Sequence, residues 1–323
     1  MNTVLFGSSG MLGHDFYTIC KQTILGTGIP RIECPSHTDV DLADRAAVNQ
    51  YLTTMKSNGF DTVVNCAAAT DVNAIQSCIN DERSSYEVNA LGPKYLAEAC
   101  SRLGMRLLHI STDYIYSDDS TYMGQFGRPE EFPINIYGYH KLIGELNIKT
   151  TMKDKYTILR VGCLYGMHKC KSFLHKFLRN VANAARNNFA VDVIDYQLTT
   201  PTSTFFVCNR MMDILQNGMS GTYTTSPKGA ATRWEFAKKI VELCGKHGVF
   251  GNWEFQDGFV KKGSSDQIGY MIPEFSVMYE LNPETHLYGN PATTTWEDVL
   301  DDFIGVNEDE LAAWFKGLIE EKK

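Results

Sequence analysis

The chain has 323 residues, a formal net charge of -8 and 43% hydrophobic residues, enough to bury a large core in one α/β unit or two domains. The acidic balance argues against nucleic-acid binding, because that function needs a basic surface that releases counterions from phosphates. The apolar runs are too short to cross a bilayer, and no signal-peptide pattern opens the chain. We therefore expect a cytoplasmic protein with neither a nucleic-acid nor a membrane partner.

The nine cysteines are dispersed and form no CxxC pair, which is typical of reduced thiols. One stretch contains Cys163, His168, Cys170 and His175, but their spacing matches no standard zinc pattern. The sequence therefore predicts no metal site.

The first half of the chain alternates strand and helix patterns. Strands are predicted at Thr3–Phe6, Arg31–Cys34, Thr62–Cys66 and Arg106–Ser111, and helices at Met11–Cys20, Ala43–Lys56 and Glu82–Leu103. This order predicts a parallel sheet with helices on both faces. Right-handed crossovers then favour a doubly wound, Rossmann-type α/β fold.

The alternation continues and then loosens in the second half. The patterns predict helices at Tyr137–Ile148, Phe173–Asn187, Trp234–Cys244 and in the tail from Asn307, and strands at Tyr156–Val161 and Val191–Ile194. No secondary structure is assigned to the stretch from Phe250 to Tyr270. We expect an NAD(P)-binding domain at residues 1–160. Residues 161–323 are then mostly a smaller substrate lobe, interleaved with late elements of the sheet.

Three glycines lie between the first strand and the first helix. Gly7, Gly10 and Gly13 fall where the backbone must turn tightly and approach a pyrophosphate without side-chain obstruction. The N-terminus of the following helix would offer free N–H groups to that anion. The position of the glycines in a βαβ unit, more than their spacing, predicts a dinucleotide-binding turn.

The end of the second strand bears on cofactor choice. An acidic side chain there would bind a ribose 2'-hydroxyl, whereas a basic one would accept a 2'-phosphate. Glu33, Asp39 and Asp41 are acidic, and no lysine or arginine follows before Arg45. The pattern leans towards NAD and leaves NADP open.

A tyrosine followed four residues later by a lysine can form a proton donor, because both lie on one helical face and the positive charge favours the phenolate. The chain contains three such pairs: Tyr17/Lys21, Tyr137/Lys141 and Tyr165/Lys169. Only Tyr137 opens a helical pattern one loop after a strand that ends in hydroxyl groups. We therefore predict Tyr137 and Lys141 as the catalytic pair.

The strand before that loop ends in Ser111, Thr112 and Asp113. Open α/β sheets bind ligands at the carboxyl ends of their strands. Tyr137 can donate a proton to the carbonyl oxygen of a substrate as a hydride reaches its carbon. Thr112 is placed to form a hydrogen bond with the same oxygen.

Several segments, in this order, resemble the dTDP-4-dehydrorhamnose reductase family of extended short-chain dehydrogenases/reductases. They are GSSGMLG (7–13), DTVVNCAAATDVN (61–73), YEVNALGPKYLAEAC (86–100), STDYIY (111–116), YGYHK (137–141), LRVGCLYG (159–166) and VIDYQLTTPTS (193–203). The resemblance implies reduction of the C4 keto group of a nucleotide-linked deoxysugar, with NADH or NADPH as hydride donor. The resemblance leaves open whether the protein forms a homodimer.

The resemblance also implies roles for individual residues. Thr112, Tyr137 and Lys141 would form the catalytic triad. The cofactor would be bound by Gly7, Ser9, Gly10, Met11, Leu12, Gly13, Asp41, Leu42, Ala67, Ala68, Tyr137 and Lys141, and the substrate by Asp113, Tyr114, Gln197 and Pro201.

Tyr114 bears on the type of reaction. Related dehydratases carry Glu at this position, because water elimination needs a further acid and base, so Tyr114 favours simple reduction. A 4-epimerase with the same triad stays open. In a late segment, Met271 and Ile272 stand where the family tends to carry an arginine that contacts phosphate, which leaves the nucleotide and the sugar open.

A non-catalytic function is the alternative from another class. The methionine adenosyltransferase β subunit resembles this family as an NAD(P)-binding regulatory subunit. The intact triad argues against that role, since binding alone places little demand on the Lys141 charge.

Overall fold

The computed structural model describes residues 1–24, 31–116, 131–263, 273–278 and 294–320. Its strands are Thr3–Phe6 (β1), Ile32–Glu33 (β2), Thr62–Asn65 (β3), Arg106–Thr112 (β4), Tyr156–Val161 (β5), Leu164–Tyr165 (β6), Val191–Ile194 (β7), Leu198–Thr199 (β8), Thr202–Ser203 (β9), Gly221–Thr225 (β10), Val260–Gly263 (β11) and Phe275–Ser276 (β12). Its helices are Met11–Ile24 (α1), Arg45–Ser57 (α2), Val72–Ser77 (α3), Ile79–Tyr86 (α4), Gly92–Leu103 (α5), Ile136–Thr151 (α6), Phe173–Asn187 (α7), Thr204–Gln216 (α8), Arg233–Lys246 (α9), Trp296–Val306 (α10) and Glu308–Glu320 (α11).

The main sheet has the strand order β2-β1-β3-β4-β5-β10, and every neighbouring pair is parallel. The prediction of a doubly wound, Rossmann-type α/β fold is confirmed. The chain first runs from β1 to β2 and then crosses back to β3, so the direction of winding reverses between β1 and β3. In open α/β sheets this reversal opens a crevice at the carboxyl ends of the strands, where ligands bind.

Helices cover both faces of this sheet. In β1, Val4 and Phe6 face the core beneath α2, α5 and α6, whereas Leu5 faces Phe16 of α1 and Met211 of α8. This division follows from the alternation of side chains along a strand. Because both faces are covered, the central strands β1 and β3 are almost completely buried, as strands of parallel sheets generally are.

A further hydrophobic core joins α7, α9, α10 and α11 to the small β7–β11 sheet, and aromatic side chains such as Phe236 and Phe303 fill much of it. Between these elements, α8 and β10 return to the main sheet. The division of the chain at residue 160 into two domains stays a prediction.

The predicted helix Glu82–Leu103 differs from the observed one. It begins earlier, as α4, and continues into α5 through a π-helical turn at Glu87–Leu91. The predictions also lacked α3, α8, α10 and β10. No described helix has the length and apolar character to cross a bilayer.

Candidate active site

The turn between β1 and α1 leaves no room for side chains at two of its glycines. Gly7 has φ +80°, and a Cβ there would lie 2.4 Å from the Ala67 nitrogen at the end of β3. A Cβ on Gly13 would lie 2.2 Å from the Gly7 carbonyl oxygen. The Gly10 N–H donates to the same oxygen at 2.9 Å. The backbone therefore follows the narrow path that a dinucleotide cradle requires.

The other residues that the resemblance implies for cofactor binding lie in α1, in the glycine turn and in the loop after β2. Met11 begins α1, and Leu12 packs in the core with α8. Asp41 accepts the Ala43 N–H at 2.9 Å, and Leu42 is buried. The carbonyl oxygen of exposed Ser9 lies 3.2 Å from Nε2 of His168.

A histidine pair beside the cradle was missed in the sequence. The His168 ring stacks on the His14 ring with the centroids 3.8 Å apart. The two residues are far apart in the chain, so spacing could not have linked them. His175 instead forms a hydrogen bond with Ser172, and the described residues contain no group of three side chains that could hold a metal ion.

Hydrogen bonds between side chains and the backbone fix the end of β3, opposite the glycine turn. The Ala67 N–H donates to the Asn65 side chain at 3.0 Å. Two residues later, Ala69 donates its N–H to Asn89 and accepts a bond from the same side chain. Ala67 and Ala68 are both half-buried. Glu33, the acid at the end of β2, is exposed.

Tyr137 is the second residue of α6. The helix begins where the Asn135 side chain accepts the Gly138 N–H at 2.8 Å. A Cβ on Gly138 would lie 2.1 Å from the Tyr114 carbonyl oxygen, so only glycine allows α6 to pack this closely against the end of β4. This contact brings Tyr137 to Thr112, and the middle glycine of YGYHK is the sequence signal for it.

The Tyr137 hydroxyl is in a low-dielectric setting. Burial raises the pKa of Tyr137 well above its ordinary value of 10.0, a hydrogen bond with Thr112 lowers it, and the Asp113 charge raises it. Thr112 donates to Asp113 Oδ1 at 2.9 Å. A ketone could accept a bond from Thr112 only after that hydroxyl rotates.

Lys141 is 2% exposed and lies one helical turn after Tyr137. Its Nζ donates to the Ile110 carbonyl oxygen at 2.7 Å and lies 3.3 Å from His109 Nε2. Burial lowers the pKa of Lys141 to about 8, and the Glu145 charge opposes that change. Burial and the Lys141 charge lower the pKa of His109 well below its ordinary value, so this imidazole is neutral. His109 was not predicted as a site residue.

Asp113 is buried where the end of β4 meets β12. It accepts hydrogen bonds from Thr112 and from Ser276 of β12. Burial raises the pKa of Asp113 to about 6, although these hydrogen bonds oppose the rise. Met271 and Ile272 lie outside the described residues, whereas Ser276 in the same late segment reaches the site.

A pocket opens beside these groups. It is lined by Thr70, Val72, Thr112, Asp113, Tyr114, Tyr137, Gly162, Cys163, Gln197, Thr199 and Arg233. Pro201, which the resemblance assigned to the substrate, is buried but is not among the lining residues. Arg233 was not predicted, since it lies far along the chain in a segment without a recognised motif.

The other two tyrosine–lysine pairs have different geometry. Lys21 lies over the Tyr17 ring at 4.8 Å on the outer part of α1. Tyr165 is buried in β6, and Lys169 has φ 64°, so no helical turn joins them. These contacts agree with the expectation that Tyr137 alone of the three opens a helix.

The parallel sheet and the glycine turn at its point of reversal define a dinucleotide-binding α/β protein of the Rossmann type. The family model described as the RmlD substrate binding domain matches residues 1–265. The chain belongs to this family.

Individual relatives agree with that assignment. The chain is 29% identical over 275 residues to a dTDP-4-keto-6-deoxy-D-glucose reductase of Streptomyces niveus, covering 84% of this chain and 86% of the relative. It is 32% identical over 251 residues to the probable low-salt glycan biosynthesis reductase Agl14 of Haloferax volcanii, covering 76% and 81%. The crystal structure of a Clostridium acetobutylicum dTDP-4-dehydrorhamnose reductase matches with a TM-score of 0.77 and 26% identity, covering 95% of this chain and 99% of that one.

Proposed function

We propose that the protein is an NAD(P)H-dependent reductase of the C4 keto group of a nucleotide-linked 4-keto-6-deoxysugar, with dTDP as the nucleotide. The observation that carries the proposal is the meeting of the Thr112 and Tyr137 hydroxyls at the wall of one pocket, at the carboxyl edge of the sheet. The relatives named as reductases of dTDP-linked keto sugars support the choice of substrate.

The chain's own residues supply the proton and orient the ketone. Tyr137 is neutral at physiological pH because burial raises its pKa, so it carries the proton that the reduced oxygen needs. Thr112 fixes the direction of the carbonyl once its hydroxyl turns from Asp113. Lys141 holds a positive charge one turn away and stabilises the tyrosinate that remains.

The turn fits a dinucleotide, because a Cβ at Gly7 or Gly13 would overlap backbone atoms, so only glycines allow the close approach of β1, α1 and the end of β3 that such a turn requires. When bound, the reduced cofactor supplies the hydride to C4. In the sequence that follows Glu33 at the end of β2, no lysine or arginine occurs before Arg45, which favours NADH over NADPH. NADH and NADPH are both to be assayed, because NADP stays open.

Tyr114 favours reduction over dehydration. Its hydroxyl accepts a bond from Gln197 Nε2 at 3.1 Å, and burial raises the pKa of Tyr114, so it is no base at neutral pH. The pocket thus lacks the glutamate that elimination would use at this position. A homodimer and a cytoplasmic location stay predictions.

The test is to follow NADH and NADPH oxidation with dTDP-4-keto-6-deoxy sugars. We expect steady turnover in the wild type and a loss of kcat of about 10²- to 10⁴-fold in Tyr137→Phe, which should still bind the cofactor. Tyr139→Phe is the matched control, because Tyr139 is on the same helix, is 46% exposed and is not a lining residue of the pocket.

Three outcomes would contradict the proposal. If kcat of Tyr137→Phe lies within a few-fold of that of the wild type, Tyr137 is not the proton donor. A C4 epimer formed without net cofactor oxidation would indicate an epimerase. No turnover of any 4-keto sugar nucleotide, together with tight binding of another protein, would indicate the regulatory alternative.

A further inference from the structure

Arg233 has no assigned role, yet its guanidinium lines the same pocket as Thr112 and Tyr137. It is the first residue of α9, and the preceding Thr232 forms a capping box with Glu235 that fixes where the helix begins. The start of this helix therefore determines where the arginine enters the pocket.

Two neutral groups hold the guanidinium in place. Arg233 Nε donates to Gln197 Oε1 at 2.9 Å, and Nη2 donates to the same oxygen. On another side, the guanidinium carbon lies 5.2 Å from the centre of the Phe173 ring. Neither contact neutralises the charge, and the Nη1 donors are not used by Gln197.

No carboxylate forms an ion pair with Arg233 within the described ranges. Asp195 bonds the neighbouring Thr232, but its carboxylate is paired with Lys262. A half-buried arginine that is oriented by a neutral amide is a suitable ligand for an anion, because a guanidinium can donate two parallel bonds to a phosphate.

Gln197 is built into this arrangement under strain. It is 3% exposed and has φ 57°, in the left-handed region that favours glycine. Its oxygen binds Arg233, and its nitrogen donates to the Tyr114 hydroxyl at 3.1 Å. Gln197, predicted to bind substrate, thus positions two pocket residues through its own amide.

A series of contacts connects the proposed proton donor to Arg233. The Tyr114 and Tyr137 rings have centroids 6.0 Å apart, Gln197 follows on the Tyr114 hydroxyl, and Arg233 follows on Gln197. In a 4-keto pyranose, C4 and the anomeric carbon C1 are opposite each other across the ring. A ketone held at Tyr137 would direct the C1 substituent away from Tyr137, and Arg233 is the charged lining residue at the far end of this series of contacts.

We propose that Arg233 binds the phosphate attached to C1 of the nucleotide sugar and that Gln197 is its positioning residue. This inference rests on the proposed function for the identity of the sugar. The affinity of the pocket for the phosphate group alone can be measured without turnover.

The experiment uses the cofactor-loaded full chain with Arg233→Met, which keeps an unbranched side chain against Phe173 but no charge, and Arg233→Lys, which keeps the charge. Arg179→Met is the matched control, since Arg179 also lies over an aromatic ring, Trp314 at 5.6 Å, but is exposed and outside the pocket. Each protein is tested for KM and kcat with the dTDP-4-keto sugar and for the dissociation constants of dTDP and thymidine.

We expect Arg233→Met to raise KM and to weaken dTDP binding by about 10- to 100-fold, since bonds to a charged group are lost. In that variant kcat should change less than about threefold, the thymidine affinity should not change, and Arg233→Lys should recover part of the loss. Arg179→Met should match the wild type.

The inference is overturned if Arg233→Met binds dTDP as the wild type does, or if dTDP and thymidine binding weaken equally, which would indicate a structural role. A wild type that reduces no 4-keto sugar nucleotide would refute the proposed function instead. The dTDP comparison would still decide whether Arg233 binds phosphate.

Discussion

Replacing Asp113 with asparagine should stabilise the protein increasingly as the pH rises, relative to the wild type. Burial raises the pKa of Asp113 from its ordinary 3.8 to about 6. A carboxyl group with a raised pKa favours the folded state only while it is protonated. That contribution is complete below pH 3.8 and is lost as the pH rises through about 6. Asparagine has no charge to bury at any of these pH values.

The magnitude follows from the two pKa values. Their difference, at about 1.36 kcal/mol for each pKa unit, amounts to about 3 kcal/mol over the whole pH range. Roughly half of this, about 1.5 kcal/mol, is lost between pH 5 and pH 8, because at pH 5 the carboxyl in the unfolded chain is already largely ionised.

Urea unfolding at pH 5 and at pH 8, followed by tryptophan fluorescence, measures the effect. The unfolding free energy of Asp113→Asn minus that of the wild type should increase by about 1.5 kcal/mol from pH 5 to pH 8. Any loss of the hydrogen bonds from Thr112 and Ser276 adds a nearly constant offset, which cancels between the two pH values. Asp192→Asn, at an exposed site in β7, is the control and should show almost no change.

Two results would refute this reasoning. If the difference is the same at both pH values, the Asp113 carboxyl does not change its protonation in this range in the folded protein. If it moves the other way, the hydrogen bonds to the carboxylate outweigh burial, and the pKa is lowered rather than raised.

Two further predictions concern the glycine turn and a buried ion pair. Gly13→Ala would place a Cβ 2.2 Å from a backbone oxygen, and we expect fluorescence titration to show cofactor binding weakened at least about tenfold. Its control is Gly245→Ala in α9, where a Cβ meets no other atom within 4 Å and should raise the free energy of unfolding by up to about 1 kcal/mol. Glu145→Ala leaves buried Arg160 without its main partner and should cost about 3–5 kcal/mol of unfolding free energy, whereas Glu242→Ala, in an exposed pair, should change it by less than about 1 kcal/mol. A fully retained affinity in the first case, or equal losses in the second, would contradict these accounts.

The sequence predicted the first five strands of the main sheet, β1 to β5, because their determinants are local, whereas β10 was not predicted. Apolar runs of four to seven residues, each followed by a helical pattern, specify buried parallel strands without reference to the rest of the chain. The cradle and the start of α6 were found for the same reason. Their glycines and tyrosine occur within a few residues of a strand end or helix start.

The C-terminal elements were harder to predict, although one of them carried a usable signal. Strands of two residues, such as β8, β9 and β12, are too short to show any alternation. By contrast, α8 has an N-cap at Ser203 and buried positions at Val207, Met211 and Ile214, a spacing that predicts a helix.

The parts of the site that were missed depend on contacts between distant segments. His109 meets Lys141 only because β4 packs against α6, and Ser276 meets Asp113 only because β12 pairs with β8. Arg233 enters the pocket through the position of α9. A single sequence contains no pattern that brings such residues together.

The π-helical turn at Glu87–Leu91 links the two halves of the site through one residue. The Asn89 side chain holds both backbone groups of Ala69, in the loop after β3. The backbone carbonyl oxygen of Asn89 would lie only 2.3 Å from a Cβ on Gly144 of α6, so α6 packs directly against it. The loop after β3 and the helix that carries Tyr137 are therefore both aligned against a single residue, Asn89. Deleting one residue from the turn would rotate α5 relative to Asn89 and shift the loop after β3 relative to Tyr137, even though every side chain that lines the pocket would be unchanged.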